Sequence, residues 1–557
     1  MQLFKQARYG MLVIAAGLAT ASCNNDDSPA PVVTIASVNP TSGPVGSDIT
    51  ITGTEFGSDT TGVRVTFTGG ALAKVKTIAP TSIVATVPAG AQDGTITVKI
   101  GSKSAVTSSS AFTLGNKTVV EVSNEIAANT TWEASKVYVI KGFVYVRSGA
   151  TLTIQPGTII KGGLPAQDPS GQQKGGTLIV QPGAKLMAVG TASQPIVFTS
   201  SKAAGSRNYG DWGGVVLIGK APTNRPGATN FEGGITGTTG TYSDVADNSG
   251  TLKYVRIEFG GISLSNTPNS EINGLTMYGV GNGTTIENVQ VSYSGDDSFE
   301  WFGGTVNAKY LVAFRGFDDD WDTDWGYSGK VQFALSLRDP NVADQSTSNG
   351  FESDNFDPGT PANGANDGLP LTGAVFANVS NFVFQGAPSS ATTSNGSGAF
   401  GRGMHLRRNT SISVFNSLLV GYPEGLRLDG TTTLANATSN GMQLRGIVLA
   451  NMTTPVNGAG GVTADQATAF FNTTEFANQI VTLANIGTLG LNANSFNLAS
   501  PAFTVGSSSP LLSGAVWTGK GADSFFQKVN YRGAFNATDN WTAGWTNFNP
   551  QNTNYDK

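Results

Sequence analysis

Short runs of alternating apolar and polar residues occupy the N-terminal part of the chain. They lie at 48–53, 63–67, 82–87 and 95–100, with Gly, Pro, Asn and Ser between them. Alternation with a period of two is typical of a strand with one buried face, because successive side chains point to opposite sides. Several such strands joined by turns predict a small β-sandwich over residues 33–114.

A different pattern follows. The segment 149–157 recurs in similar form at 175–183, beginning 26 residues later. A strand-and-turn unit repeated at this spacing is typical of a solenoid, in which each unit buries its apolar face against its neighbours. The pattern therefore predicts stacked β-coils over 115–557, and an all-β chain overall.

We expect roughly 15 coils about 4.8 Å apart, which gives a rod about 70 Å long. The strand pattern loosens at 340–370 and 455–500, which predicts loops there, with a short helix at 463–471. Asn288, Asn416 and Asn451 follow or interrupt strand-like segments. Because Asn tolerates left-handed backbone conformations, these residues are predicted to sit at turns of the coils and to stack between them.

The N-terminus has the pattern of an export signal. Lys5 and Arg8 precede an apolar stretch at 11–19 that is too short to span a membrane. Thr20-Ala21-Ser22 then precedes Cys23, which is the only Cys in the chain.

This arrangement resembles a lipobox, the cleavage and lipidation signal of bacterial lipoproteins. The resemblance implies a signal peptide at 1–22, a lipid on Cys23, a tether at 23–32 and attachment to a membrane. Asn24-Asn25-Asp26-Asp27 is similar to the export signal of surface lipoproteins in some Gram-negative bacteria, which predicts the cell surface of the outer membrane. The alternative is ordinary secretion with an incidental Cys.

Composition excludes several functions. The formal net charge is −5, and no cluster of Lys and Arg forms a basic footprint, so no nucleic-acid partner is expected. With one Cys and one His, the chain can form neither an internal disulfide nor a Cys/His zinc site.

The predicted sandwich resembles the IPT/TIG family of immunoglobulin-like domains. The matching segments are Pro40-Thr41-Ser42-Gly43 with Gly46, Ile51-Thr52-Gly53, Phe56-Gly57, Val87-Pro88-Ala89-Gly90 and Ala111-Phe112-Thr113-Leu114. In surface proteins the family serves as a spacer or a binding module, and a spacer is the function expected here.

The remainder resembles bacterial surface proteins with a right-handed parallel β-helix. The matching segments are 149–157, 195–200, 210–214 and 416–421. This resemblance implies the fold but no activity, because β-helices occur in lyases, hydrolases, adhesins and spacers alike.

Eight of the 38 acidic residues lie between 296 and 324. Asp296 and Asp318 are 22 residues apart, close to one coil, so the two acidic turns are expected to stack. Two carboxylates about 4.8 Å apart repel by roughly 3.5 kcal/mol at an effective dielectric constant of about 20. A calcium ion would relieve this repulsion, and its predicted ligands are Asp296, Asp297, Asp318, Asp319, Asp320, Asp322 and Asp324. The alternatives are solvated turns and catalytic carboxylates.

Aromatic residues accompany these acids. Trp301, Trp321 and Trp325 lie in the same stretch, with Glu300 beside Trp301. Rings and carboxylates together are typical of sugar-binding surfaces, so these four residues are candidate glycan ligands. The alternative is that the rings point inward and fill the core, as strand alternation requires of every second residue.

Gly295-Asp296-Asp297 also resembles the G-D-D motif of pectin-hydrolysing β-helix enzymes, in which paired Asp residues supply acid and base. The chain departs from that family because Asn273-Gly274-Leu275 stands where Asn-Thr-Asp is expected one coil earlier. His405, the only His, lies near Arg402, Arg407 and Arg408. These residues are either a site for an acidic sugar or ordinary surface and packing residues.

Two functions remain open at this point. One is a non-enzymatic surface protein that binds glycans, mediates adhesion or forms a structural rod. The other is a polysaccharide-active hydrolase or lyase acting on acidic glycans. Carboxylates that converge on one point favour a metal site, whereas a pair about 5 to 9.5 Å apart across a groove favours catalysis.

Overall fold

The computed structural model describes residues 32–225, 230–236, 242–263, 271–355, 368–388 and 398–556. The predicted signal peptide, Cys23 and all of the tether except Val32 lie outside the described residues. No helix in the described part of the chain is long and apolar enough to cross a membrane.

The N-terminal domain is a β-sandwich. One sheet has the order β1-β3-β6-β5 and the other has the order β4-β7-β8, while β2 pairs with β9. Ile51, Ile83, Val65 and Val98 fill the space between the sheets with no exposed surface. The strands are β1 (Thr34–Asn39), β2 (Ser42–Gly43), β3 (Asp48–Thr54), β4 (Val63–Phe67), β5 (Lys74–Ala79), β6 (Ser82–Thr86), β7 (Ile96–Ile100), β8 (Val106–Thr107) and β9 (Thr113–Leu114).

The second domain is a parallel β-helix, as the repeats predict. Its strands are β10 (Thr118–Ile126), β11 (Thr130–Trp132), β12 (Lys136–Val146), β13 (Thr151–Ile154), β14 (Ile159–Gly162), β15 (Thr177–Val180), β16 (Lys185–Val189), β17 (Ile196–Ser200), β18 (Gly214–Ile218), β19 (Asn230–Phe231), β20 (Ile235–Thr236), β21 (Gly250–Glu258), β22 (Ile262–Ser263), β23 (Glu271–Ile272), β24 (Leu275–Tyr278), β25 (Thr285–Ser292), β26 (Phe299–Phe302), β27 (Asn307–Phe314), β28 (Trp321–Asp324), β29 (Lys330–Leu337), β30 (Phe351–Ser353), β31 (Val375–Phe382), β32 (Arg402–Leu406), β33 (Ser413–Phe415), β34 (Leu418–Val420), β35 (Glu424–Asp429), β36 (Leu444–Arg445), β37 (Val448–Ala450), β38 (Thr454–Ala459) and β39 (Gln479–Val481).

Three parallel sheets wrap one continuous apolar core. Sheet A contains the second halves of β10 and β12 and then β15, β18, β24, β26, β28, β30, β32, β35 and β38. Sheet B runs from β11 through β13 and β16 to β36. Sheet C runs from β10 through β12, β14 and β17 to β39. The strands β21, β25, β27, β29 and β31 bend at a corner and belong to both B and C.

The two sequence repeats lie on different sheets. The first contributes β13 to sheet B, and the second contributes β15 to sheet A. β13 instead stacks on β16, with Thr151 level with Lys185. The repeats are therefore similar strand-and-turn units on two faces of the coils, and their spacing is not the length of a coil.

Single left-handed residues turn the chain at the corners. Asn288, Asn416 and Asn451 have φ angles of 55°, 50° and 55°, which confirms the prediction that they occupy turns. Asn adopts this conformation more readily than other residues with a side chain. Asn416 lies level with Asn378 of the preceding coil, which has a φ of 54°, so two Asn residues are stacked at this corner. The side-chain amide of Asn416 donates to the carbonyl of Val516 and accepts from the backbone N–H of the same residue, at 3.0 and 2.6 Å.

The last part of the chain returns along the outside of the β-helix. We name residues 516–556 the C-terminal strap. Lys520 contacts Gln443 near the far end, Asn547 contacts Gln290 midway, and Asp556 forms an ion pair with Lys161 near the first coils. Because this segment adds no coils, sheet C has twelve strands among the described residues, fewer than the roughly 15 coils predicted.

Helices are few and short. Among the described residues, the α-helices are α1 (Thr431–Thr438) and α2 (Ala464–Phe471). Thr463 caps α2 by accepting a hydrogen bond from the amide of Gln466, so the helix predicted at 463–471 is confirmed. The 3₁₀ turns are Pro165–Gln167, Glu232–Gly234, Thr474–Phe476, Leu483–Leu489, Pro510–Leu512, Gly519–Ala522 and Pro550–Asn552.

Candidate metal centre

The outer face of sheet A changes character along the rod. In the earlier coils of the chain, an apolar cluster that includes Val216, Ile218 and Tyr278 is covered by Phe231 and Ile235. In the later coils, polar residues stack in register instead. Glu300 is level with Asp322, Asp322 with Glu352, and Glu352 with His405. Alternation explains the pattern, since the intervening residues face the core.

The turns that precede these strands are also in register. The backbone N–H of Asp319 donates to Oδ1 of Asp297 at 2.8 Å, and the N–H of Asn349 donates to Oδ1 of Asp319. The N–H of Arg402 donates to Oδ1 of Asn349 at 3.0 Å. Each side chain therefore holds the turn of the next coil, which fixes Asp297 and Asp319 one above the other beside the column of strand residues.

Seven carboxylates form what we name the acidic strip. They fall into three groups, and in each group one oxygen from every residue lies within 4.8 Å of the others. The groups are Asp296, Asp297 and Asp318; Asp297, Glu300 and Asp322; and Asp319, Asp322 and Glu352. Because Asp297 and Asp322 are shared, the groups are continuous. These buried acidic groups could hold a metal ion.

Burial and mutual repulsion shift the titration of the strip. Burial, together with neighbouring carboxylates, raises the pKa of Asp297, Asp319 and Asp322 well above the usual value. Burial and the charge of Asp344 raise the pKa of Asp318 to about 7. Oδ1 of Asp322 is buried and has no hydrogen-bond partner among the described residues. The strip therefore needs protons or a cation to be stable at neutral pH.

Comparison with known families follows the same division into two domains. A family model described as a pectate-lyase-like β-helix domain matches residues 124–490. The chain belongs to this family. The model of the IPT/TIG domain matches residues 33–114, which confirms the resemblance noted in the sequence. No curated protein matches the chain significantly.

Solved structures match only a small part of the chain. An auxiliary nutrient binding protein from Bacteroides thetaiotaomicron VPI-5482 is 30% identical, with a TM-score of 0.15, and the match covers 16% of this chain and 22% of that one. A putative phosphatase from the same organism is 32% identical, with a TM-score of 0.15, and the match covers 16% of this chain and 19% of that one. At these TM-scores the matches carry no argument about fold or function.

Two of the predicted calcium ligands of this β-helix family member lie outside the three groups. Asp320 points to the other side of the turn, where it forms an ion pair with Arg338 at 3.2 Å and accepts a hydrogen bond from Ser336 at 2.6 Å. Neither side chain of the pair is exposed. Asp324 accepts from the N–H of Trp325 at 2.6 Å. The three groups therefore contain five of the seven predicted ligands, which are Asp296, Asp297, Asp318, Asp319 and Asp322.

The tryptophans proposed as sugar ligands are buried. Trp301 and Trp321 are 0% exposed and Trp325 is 5% exposed. Trp301 stacks on Tyr327, and Nε1 of Trp321 donates to Asn381 at 3.1 Å. The prediction that these rings stack on a glycan at the surface is wrong, and the core-packing alternative holds. Glu300, at 6% exposure, faces the strip instead.

Glu352 was missed by the sequence analysis, although it joins the strip to a basic group. His405 lies between Glu352 and Asp429, with N–O distances of 3.6 and 3.3 Å. Arg407 forms ion pairs with Glu352 and Asp354. Although burial raises the pKa of Glu352, its contacts with His405 and Arg407 lower the pKa below the usual value. The Glu352 carboxylate is therefore charged at neutral pH, and it lies on the last coil of the strip.

Proposed function

We propose that the acidic strip is a calcium site and that the protein is a cell-surface glycan-binding protein without catalytic activity. The convergence of carboxylate oxygens within 4.8 Å of one another supports this proposal. A catalytic pair of a glycosidase flanks its substrate, with the two carboxyl groups about 5 to 9.5 Å apart. Groups of three or more oxygens around one point suit a cation better.

Calcium fits the donor set. The strip offers carboxylates only, and calcium takes six to eight oxygen ligands in a flexible geometry. Magnesium requires a near-octahedral arrangement and keeps most of its water, so a cluster of turn residues suits it less. The predicted ligands that carry the proposal are Asp297, Asp319 and Asp322, with Glu300 and Glu352 completing the groups.

The residues above the strip favour an acidic glycan. His405 and Arg402 lie on β32, and Arg407 and Arg408 directly follow it. The side chain of Arg408 is 60% exposed and pairs with Asp354 at 2.7 Å. A cation in the strip and guanidinium groups beside it would both attract sugar carboxylates. A rigid β-helix offers an extended surface for a polymer.

The second candidate is a hydrolase or lyase that acts on acidic glycans. The family description names pectate lyase, and the pKa values of Asp318 and Asp324 rise to about 7, mainly through burial and neighbouring acids. Carboxyl groups with such pKa values suit general acid–base catalysis at neutral pH.

Titration of the purified fragment 32–557 separates these functions. Calorimetry should show calcium uptake by the wild type and none by Asp297→Asn/Asp322→Asn. On a glycan array, the wild-type fragment should bind acidic glycans in the presence of calcium, and a chelator should abolish this binding. Release of reducing ends or of unsaturated sugars from the bound glycans would identify an enzyme. Absence of calcium uptake would contradict the metal site.

We further propose that the protein is lipid-anchored through Cys23 at the outer surface of the outer membrane, with the IPT/TIG domain as spacer. Cys23→Ser should move the protein from the membrane fraction to the soluble fraction. Asp26→Ala/Asp27→Ala provides a matched control, because it should keep the anchor and lose only accessibility to protease added to intact cells. A Cys23→Ser protein that stays with membranes would contradict the anchor.

A further inference from the structure

A buried lysine lies where the IPT/TIG domain joins the β-helix. Lys117 is in the short connection between β9 and β10, and it is 5% exposed. On one side of it, the N–H of Gly115 donates to the carbonyl of Gly43 at 3.0 Å. On the other side, Thr118 lies level with Lys136 of the next coil. The backbone on both sides of Lys117 is therefore held in place, one side by each domain.

The amine of Lys117 has no partner in the protein. Within the part of the chain that the structure describes, it forms neither a hydrogen bond nor an ion pair. Burial, with no neighbouring acid to oppose it, lowers the pKa of Lys117 to about 8. At neutral pH the amine is still largely charged, and a buried cation without an acceptor is costly. An anion beside it would offset this cost.

The amine faces a cavity that such an anion could enter. The cavity has a volume of about 390 Å³ and lies on the outer face of sheet C in the first coils, and cavities of roughly 300 to 1,000 Å³ are typical of small-molecule sites. Two other lysines line it, but each has an acid. Lys141 pairs with Glu121 at 2.6 Å, and Lys161 pairs with Asp556. The cavity wall therefore has one more base than acid, and Lys117 is the base without an acid.

An apolar wall lies in the same cavity. Val119 and Val139 lie on neighbouring strands of sheet C and line the cavity together with Val137. Val119 is 60% exposed, although it lies level with the buried Val137. An organic group packed against Val119 would remove apolar surface from water. The cavity therefore combines one unpaired ammonium group with a surface for an apolar substituent.

We propose that this cavity binds a phosphate monoester, with the phosphate on the amine of Lys117 and the organic group against Val119. A lysine ammonium has three hydrogen-bond donors, and a phosphate monoester offers three terminal oxygens to accept them. Lys141 and Lys161 add positive charge nearby, because ion pairs with the exposed Glu121 and Asp556 are weak and easily exchanged. No residue of the acidic strip lines the cavity, so the site is independent of the calcium function.

Calorimetry in chelator tests the choice of ligand while the acidic strip is free of calcium. The probes are phenyl phosphate, methyl phosphate and benzoate. The fragment 32–557 should bind phenyl phosphate, with methyl phosphate about fivefold weaker because it lacks the apolar ring, and benzoate at least fivefold weaker because it lacks the phosphate. Benzoate binding as tightly as phenyl phosphate, or no binding of phenyl phosphate, would overturn the proposal whatever the calcium experiments show.

The pH dependence of binding tests the role of Lys117 in the unaltered protein. A phosphate monoester keeps its double charge above pH 7, because its second pKa is about 6. Lys117 loses its proton as the pH rises through its pKa of about 8, so the affinity for phenyl phosphate should fall about tenfold between pH 7 and pH 9. Lysines with the ordinary pKa of about 10.4 stay charged over this range. An affinity that is unchanged at pH 9 would exclude Lys117 as the phosphate ligand.

Matched variants locate the bound phosphate. Lys117→Met keeps most of the buried aliphatic chain and removes the amine, and it should weaken phenyl phosphate at least tenfold. Lys185→Met removes the same charge from an exposed position on sheet B outside the cavity wall and should leave affinity unchanged. Because the amine of Lys117 has no partner to lose, the melting temperature of Lys117→Met without ligand should not fall. Undiminished binding by a folded Lys117→Met protein would refute the site, and the pH series decides the matter if that variant does not fold.

Discussion

Neutralising one acid of the strip should stabilise the metal-free protein. Asp322 belongs to two of the three groups, so its carboxylate lies within 4.8 Å of oxygens from four other acids. At that distance one pair of charges repels by about 3.5 kcal/mol at an effective dielectric constant of about 20. Asp322→Asn removes the charge at nearly constant volume, and its unpartnered Oδ1 loses no hydrogen bond to the described residues.

Protonation of Asp322 limits how much stability Asp322→Asn can add. If Asp322 takes up a proton on folding, this uptake lowers the free energy of unfolding by about 1.36 kcal/mol for each pH unit above the ordinary pKa of 3.8. At pH 8 this cost is about 5.7 kcal/mol, and at pH 5 it is about 1.6 kcal/mol. We therefore expect Asp322→Asn to stabilise the protein by about 3.5 to 5.7 kcal/mol at pH 8 and by less than about 1.6 kcal/mol at pH 5.

Urea unfolding in chelator, followed by tryptophan fluorescence at both pH values, measures the effect. Asp320→Asn is a matched control, since it makes the same substitution two residues away. Because the Asp320 carboxylate pairs with Arg338 in the core, Asp320→Asn should leave Arg338 unpaired and lower the free energy of unfolding by about 3 to 5 kcal/mol. The reasoning fails if Asp322→Asn destabilises the protein at pH 8, or if its gain is the same at pH 5.

Three further predictions follow from other contacts. The pKa of Asp318 is raised to about 7, so the native state keeps a proton that the unfolded state loses above pH 4. In chelator the melting temperature measured by scanning calorimetry should therefore fall between pH 4 and pH 7, and added calcium should reduce this fall. Tyr555→Phe removes the 2.7 Å hydrogen bond to buried Glu258 and should cost about 1 to 3 kcal/mol in urea unfolding, whereas an unchanged midpoint would show that the strap adds no stability there. Asn416→Ala should destabilise the protein by about 1 kcal/mol more than Asn416→Gly, because both lose the bonds to Val516 but only Ala is strained at a φ of 50°.

The sequence alone determined the two-domain, all-β architecture. Local signals carry this information, because strand alternation and left-handed Asn residues depend on the backbone of each segment. The stacking of the acidic turns was also predictable. Phe299 is level with Trp321, 22 residues later, and no insertion separates these coils, so distance along the sequence equals one coil.

Tertiary structure decided which residues belong to the acidic strip. Glu352 follows Asp322 by one coil in space but by 30 residues in sequence, because an intervening loop lengthens that coil. Asp320 has the same chemistry as its neighbours, yet it forms an ion pair with the buried Arg338, which directly follows β29. Neither contact can be predicted from the residues that adjoin it in the sequence.

The number of coils and the course of the C-terminal strap also required the fold. The strap has strand-free turns that the sequence does not distinguish from further coils, and its contacts join residues more than 250 positions apart, such as Gln290 and Asn547. Spacing along a solenoid predicts contacts only while the chain keeps winding. Once it turns back along the outside, the strap residues that contact Lys161 and Gln290 are set by packing of the whole rod, and distance along the sequence no longer predicts them.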